Sequence, residues 1–378
     1  MDKAKYRDIA PYDPAAVAQA IDRLRNSPQF IIGLGELLSS DDEDSKKAVA
    51  AFTAQLPALL DKVKTYEDFQ RSITAGVMIP TILRKSVDKF SFSGAERLDT
   101  GKPFLFISNH RDIVLDCTLL DYALLQSGMM LCEMAIGDNL LVNQFATDLF
   151  KLNGGITVKR ELPMREKYLE SIRLSEYFIE LITEERQSIW VAQKSGRSKD
   201  GIDTTNAAII KMLYLSKKKT GVKFSDLIKS CNIVPVAISY EYDPCDINKG
   251  REEVSKLLHG GEYQKKKYED LLNMLRGLRK YKGNIHLAFG KPLVDDYETP
   301  EEVAREIDRQ IHLEYRLWDT NCFAYDYLEG TDRFSDRYAD LDTERFLERY
   351  KGLKTDVREF VLNSYANPVR SYLAEADA

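Results

Sequence analysis

FLFISNHRDIVLDCTLLDYALL, residues 104–125, decides the fold class. Phe104 to Ile107 is an unbroken apolar run of strand length, and just after Ser108-Asn109-His110 a mostly apolar segment of helical length begins. A strand feeding directly into a helix is the repeating unit of an α/β sheet. The full run PFLFIS (103–108) has five counterparts: MMLCEMAI (129–136), GITV (155–158), SIWVA (188–192), NIVPVAIS (232–239) and NIHLAFG (284–290). Amphipathic segments such as MREKYLESIRLSEYFIELITEE lie between most of them. Strands this short and this apolar are buried on both sides, so the expected class is α/β, a mostly parallel sheet flanked by helices.

Outward from this core the pattern becomes helical. The first 86 residues show no strand: DPAAVAQAIDRLRN opens with Asp13 as N-cap and Pro14 in the first turn, and SKKAVAAFTAQLPALLDKVK has apolar residues at three- and four-residue spacing. The acidic run SSDDEDS between them reads as a solvated loop. Beyond Thr299 the segments PEEVAREIDRQIHLEYRLW, DLDTERFLERYKGL and DVREFVLNSYA are again helical. Their aromatics, among them Trp318, Phe323, Tyr325, Tyr327, Phe334 and Tyr338, are expected to pack onto the parent fold. Three regions are expected: an N-terminal helical region over 1–86, a central domain over 87–295 and a C-terminal helical region over 296–378.

Composition removes several classes of function. With 54 basic and 60 acidic residues the net charge is −6, so no global positive field attracts nucleic acid. The longest stretch free of charge, Ser72–Leu83, has twelve residues, well short of the roughly 20 that a spanning helix needs. The start MDKAKYRDIAPYDP lacks the apolar core of a signal peptide, and a cytoplasmic location is expected. Five scattered cysteines (Cys117, Cys132, Cys231, Cys245, Cys322) form neither a disulfide framework nor a paired zinc motif.

The chemistry is expected at the end of the first strand. Asp112 and Asp116 share a helix face. Asp116 lies among Ile113, Val114, Leu115, Cys117, Leu119 and Leu120, where a carboxylate without a partner costs several kcal/mol. His110 at the helix entrance is the nearest partner. A carboxylate that fixes the imidazole tautomer leaves the other ring nitrogen to take a proton from a hydroxyl. His259, beside Gly260-Gly261, His286, on a strand, and His312, within a helix, read as structural. NGGITVKRE delivers Lys159 and Arg160 at a strand end, and WVAQKSGRSKDG places Lys194, Arg197 and Lys199 around Gly196 and Ser198. Such a loop offers cations and backbone N–H groups to a phosphate. In a parallel sheet these segments converge with His110 on one rim.

In this order the blocks resemble the glycerolipid acyltransferases, the family of glycerol-3-phosphate and 1-acylglycerol-3-phosphate acyltransferases. SNHRDIVLD resembles the first block, GGITVKRE the second, GRSKDG the third and IVPVAISYE the fourth, and IHLAFGKPL looks like the strand closing the domain; the likeness covers about residues 86–295. Two departures stand out. The family spaces its histidine and aspartate by four residues, whereas five separate His110 from Asp116 and one separates it from Asp112; Asp116 is favoured and Asp112 is the alternative. The family's glutamate before the third-block glycine is replaced within Gln193-Lys194-Ser195.

The resemblance implies transfer of a fatty acyl group from acyl-CoA or an acyl carrier protein to glycerol phosphate or its monoacyl form, with His110 as base. Lys159, Arg160, Lys194, Gly196, Arg197, Ser198 and Lys199 are the implied phosphate-binding set, and no metal or cofactor is implied. Peripheral contact with the inner face of a membrane is expected through the N-terminal helices, Lys217–Lys219 or Lys265–Lys267. A noncatalytic lipid- or phosphate-binding protein and a thioester hydrolase are the alternatives.

Overall fold

The computed structural model describes residues 1–28, 30, 33, 35, 43–264 and 269–377. The six apolar runs become strands β2 (Leu105–Ser108), β3 (Cys132–Gly137), β4 (Gly155–Val158), β5 (Ser188–Ala192), β6 (Ile233–Tyr240) and β7 (Asn284–Phe289). A seventh, β1 (Lys89–Ser93), precedes them, and the sheet order is β1-β7-β6-β2-β5-β3-β4. β1 to β7 and β2 through β6 among themselves pair in parallel; β6 and β7 pair antiparallel. The C-terminal ends of β2 to β6 therefore share one rim. Ser108 is in register with Ala192 of β5 and Val236 of β6, so β6 runs four residues past the end of β2, to Tyr240.

Alternation along β2 sorts the core into two layers. Leu105 and Ile107 face α7 (Met164–Thr183), α8 (Ala207–Tyr214), α9 (Phe224–Ser230) and α12 (Pro300–Glu314), packing with Phe178, Leu181, Ile210 and Ile307. Phe106 faces the other side, where Leu119, Leu120, Ala123 and Leu124 of α5 (Leu115–Gln126) meet Met134, Trp190, Val236 and Leu287. Burial on two sheet faces is why these strands are almost wholly apolar.

At the N-terminus Asp13 caps α1 (Pro14–Arg25), accepting from Ala16 N at 2.8 Å, with Pro14 as first helical residue. α2 (Glu43–Leu60), α3 (Tyr66–Phe69), a π-helical stretch (Gln70–Met78) and α4 (Ile79–Ser86) follow. α1 and α2 join α6 (Gln144–Leu152) through Val17, Leu24, Leu56, Leu60 and Leu152. Most of the expected acidic loop, and all of Lys265–Lys267, lie outside the described residues.

After β6 come α10 (Asp246–Leu258) and α11 (Glu269–Arg279), and after α12 come α13 (Asp319–Glu329), α14 (Thr343–Glu348) and α15 (Thr355–Ala376). The C-terminal aromatics pack inward: Phe346 stands edge-on to Tyr350 at 5.4 Å and to Tyr365 at 5.3 Å, with Phe323 beside it. Tyr327 is the exception, half exposed. Among the described residues no helix is long and apolar enough to cross a membrane.

Candidate active site

At the end of β2 the Asn109 side chain donates to Ile238 O at 3.0 Å and accepts from Ile238 N at 2.7 Å. This two-way bond pins the strand end to β6 and sets the position of His110. Asp112 comes next in the turn. Its Oδ1 accepts from Val114 N (3.0 Å) and Leu115 N (2.9 Å), satisfying amides that the start of α5 leaves without partners. Asp116 then falls in the first turn of α5, where the helix dipole favours negative charge.

The Asp116 carboxylate is fully buried and gathers four donors. His110 Nδ1–H (2.8 Å), Arg111 N (2.6 Å) and Asp112 N (2.9 Å) converge on Oδ2, and the Tyr240 hydroxyl reaches Oδ1 at 2.9 Å. A carboxylate only accepts, so this contact places a proton on Nδ1, and in the neutral ring the lone pair is then on Nε2. Burial, reinforced by Asp116, pushes the Tyr240 phenol well above its usual range, so it stays a donor. Among the described residues Asp112 has no hydrogen bond to His110; it bonds the first amides of the helix instead, and burial and then Asp116 push its carboxyl upward. The five-residue spacing thus gives the His–Asp pair to Asp116. His110 also meets Trp190 in a T-shaped contact, ring centroids 5.7 Å apart, while the indole N–H donates to Ser108 Oγ at 2.9 Å.

The glycine loop docks on this unit through its backbone: Gln193 N donates to Ser108 O at 2.8 Å and Ser198 N to His110 O at 2.6 Å. Gly196 takes φ +81°, a conformation that disfavours side chains. Gly201 at φ +78° lies so close to Ser364 O that no Cβ fits. Ser198 is buried, its hydroxyl 3.3 Å from Ile202 O. Arg197 lies near Asp112, whose ionised form its charge favours, and its Nη1 is buried without a hydrogen-bond partner.

The expected cation set does not converge as one cluster. Lys199 turns away to α10, bonding Glu252 at 2.6 Å and Glu253 at 2.8 Å, and Lys159 pairs with Asp8 at 2.8 Å and Glu170 at 3.5 Å. Both are paired with carboxylates in this arrangement. Arg160 lies across Gly137, and Lys194 donates to Ile202 O at 3.1 Å. These two line a groove of about 370 Å³ with Lys159 and Lys167 at its polar parts and Ile136, Leu174, Phe178, Val191, Ile209 and Met212 along its apolar wall. The groove opens at the ends of β3, β4 and β5, one strand over from His110.

Several supports were not singled out in the sequence. Arg111 pairs with buried Asp203 and lies over the Tyr315 ring at 5.4 Å. Asn109 also donates to Asp203, at 3.1 Å. Buried Lys249 donates to Arg111 O at 2.7 Å and to Asp243. Gly277 of α11 abuts the Asp112 carboxylate with no room for a Cβ. Asn109 and Arg111 stand inside the first block, and Tyr240 ends the run IVPVAISY; position in a block is the only signal they carry. The other histidines bond elsewhere in the fold. His259 ends α10, His286 bonds Ser91 and Ser93, and His312 bonds Asp203 O at 2.7 Å and Glu375 at 3.2 Å.

Residues 89–239 match the family model described as Acyltransferase. Among solved structures the chain is similar to the 1-acyl-sn-glycerophosphate (LPA) acyltransferase PlsC from Thermotoga maritima. The identity is 12% and the TM-score 0.35, over 79% of this chain and 92% of that one. No curated protein matches. The family-model match spans β1 through β6 and contains His110, Asp116 and the glycine loop, so the stretch of this chain that is similar to the Acyltransferase family is the one that holds the site.

Proposed function

We propose that the protein transfers a fatty acyl group from an acyl thioester, carried by coenzyme A or an acyl carrier protein, to a hydroxyl of glycerol-3-phosphate or 1-acylglycerol-3-phosphate. The observation that carries this reading is the His110–Asp116 contact, which in the neutral ring puts the lone pair on Nε2, at a strand-end rim one strand over from an apolar groove. Nε2 takes the proton of the acceptor hydroxyl as its oxygen attacks the thioester carbonyl. The tetrahedral intermediate collapses with cleavage of the carbon–sulfur bond, and the thiolate receives the proton from the imidazolium. Asp116 holds the ring and balances its transient charge. Arg197, near Asp112, grips the acceptor phosphate; the groove takes the acyl chain, with Arg160 and Lys194 in its lining. The amphiphilic product is consistent with work at the inner face of a membrane.

The test is incubation of purified protein with an acyl thioester, with and without glycerol phosphate. Ester formed only when the acceptor is present supports transfer. Thioester loss at equal rates in both tubes identifies a hydrolase, and no consumption at all identifies a noncatalytic binder, in keeping with the altered Gln193-Lys194-Ser195 string.

A further inference from the structure

The residues before and after His110 are tied to one carboxylate that is not part of the dyad. Asp203 Oδ2 accepts from Asn109 Nδ2 at 3.1 Å and from the Arg111 guanidinium. Asp203 and Arg111 are both buried, and Arg111 lies over the ring of Tyr315 at the end of α12. A buried ion pair often adds little net stability, because desolvation offsets its attraction. What it supplies here is direction, since guanidinium and carboxylate fix each other's orientation. The C-terminal helices in turn fix Asp203. His312 of α12 donates from Nε2 to Asp203 O at 2.7 Å, and Glu375 of α15 stands 3.2 Å from its Nδ1. Asn367 of α15 donates to Asp200 O at 2.7 Å, its own Oδ1 held by Arg370 at 2.6 Å, and Gly201 packs against Ser364 O of the same helix. Asp308 of α12 accepts from Thr205 N at 2.7 Å. Segment 200–205 is thus fastened to α12 and α15 along its length. Both helices lie beyond residue 239, where the family-model match ends.

We propose that Asp203 is a positioning residue for His110 and that α12 and α15 belong to the active-site framework, acting through His312 and Asn367 on the segment that carries Asp203. The kinetic consequence rests on the transferase reading; the geometry does not. Contacts run from α15 through His312 and Asp200 to the Asp203 segment, from Asp203 to Asn109 and Arg111, and so to the backbone that sets the imidazole against Asp116. The same segment follows the glycine loop, whose Ser198 N holds His110 O. A displaced base loses rate steeply, since misplacement by about 1 Å can cost on the order of 100-fold. None of Asp203, His312 and Asn367 lines the groove. The loss therefore falls on kcat and not on the Michaelis constant for the donor.

The test uses His312→Ala and Asn367→Ala in the full chain, with His312→Gln as the conservative variant that keeps an N–H for Asp203 O. Direct replacement of Asp203 would strand the buried Arg111 charge and endanger the fold, so the remote variants are preferred. Each alanine variant is expected to lower kcat roughly tenfold with the donor KM unchanged. Tm should fall by no more than about 4 °C, and His312→Gln should recover most of the rate. Proton NMR gives a readout independent of turnover. The Nδ1–H that His110 donates to Asp116 should give a downfield resonance, absent in His110→Ala, that shifts or broadens in both alanine variants. Wild-type kcat and an unmoved resonance, with only Tm lowered, would overturn the proposal and leave α12 and α15 as braces of the fold. So would a rise in the acceptor KM at unchanged kcat, because the segment would then act through Arg197. Wild-type protein that transfers no acyl group would sink the transferase reading, and the resonance would still decide whether α12 and α15 position His110.

Discussion

Two histidines on the same sheet show what separates a reactive imidazole from a structural one. His286, in β7, has Ser91 Oγ at 2.8 Å from Nδ1 and Ser93 Oγ at 3.1 Å from Nε2, so both ring nitrogens are occupied by neutral hydroxyls. Burial, and then the charge of Arg316, lower its pKa to about 4. His110 is tied on one side only, to a carboxylate that three further donors hold in place. One ring is closed at both ends; the other has a fixed proton and an open lone pair. The difference comes from the elements that deliver the partners. β1 pairs with β7 and supplies serines, whereas a helix that starts after six intervening residues beyond β2 brings Asp116 back to His110.

The largest expected contrast is therefore between His110→Ala and His286→Ala. The first should cost about 100- to 10,000-fold in turnover with folding intact, the loss typical of a missing general base; the second should leave turnover near wild type. Next come the two aspartates. Asp116→Asn should lower turnover on the order of 100-fold or more. Asp112→Asn, which keeps an oxygen for the Val114 and Leu115 amides, should change it little, and Asp112→Ala should cost about 1 kcal/mol of stability as a lost cap. Steady-state rates and urea melts separate these roles, and the reverse ranking would move the pair to Asp112.

Smaller effects sharpen the same contrast. Tyr240→Phe removes one donor to a buried carboxylate, a bond worth about 1.5–3 kcal/mol. It should lower kcat roughly tenfold while leaving both Michaelis constants in place. Arg197→Lys keeps charge but loses the two-pronged grip on phosphate, so the acceptor KM should rise severalfold and the donor KM should change little. Equal weakening toward both substrates would point to a phosphate of the donor as its ligand. His286 yields the smallest signal, in stability alone. Its folded pKa of about 4 lies below the ordinary value of 6.5, so the unfolded chain binds the proton first. Stability should fall as pH drops from about 6.5 toward 4, and His286→Gln should flatten that part of the curve.

Most of the sheet was legible because its strands carry both-face burial in their composition. β1 was not: KFSFS sets two phenylalanines among polar residues, and as an edge strand its flanks are exposed. The reversed direction of β7 was hidden too, since NIVPVAIS and NIHLAFG look alike and only the α10–α11 connection turns the chain around. In the site, His110 and Asp116 were legible because strand end, helix start and apolar surroundings are all local features. Lys159 and Lys199 stand at the right places in their motifs, yet their partners Asp8 and Glu252 lie 151 and 53 residues away in sequence. No motif shows that a cation is already spoken for. Tyr240 was missed for the same reason, lying 124 residues from the carboxylate it serves.

The central claim is that His110 acts as a base on the acceptor hydroxyl, so the acyl group passes directly from thioester to acceptor. Ser198 and all five cysteines are buried. Rapid mixing of the protein with an acyl thioester, followed by quenching and intact-mass measurement before and after glycerol phosphate is added, tests this most directly. Unmodified protein throughout, with ester appearing only after the acceptor, is the expected result; a protein-bound acyl group that forms first and is then chased to the acceptor would contradict it.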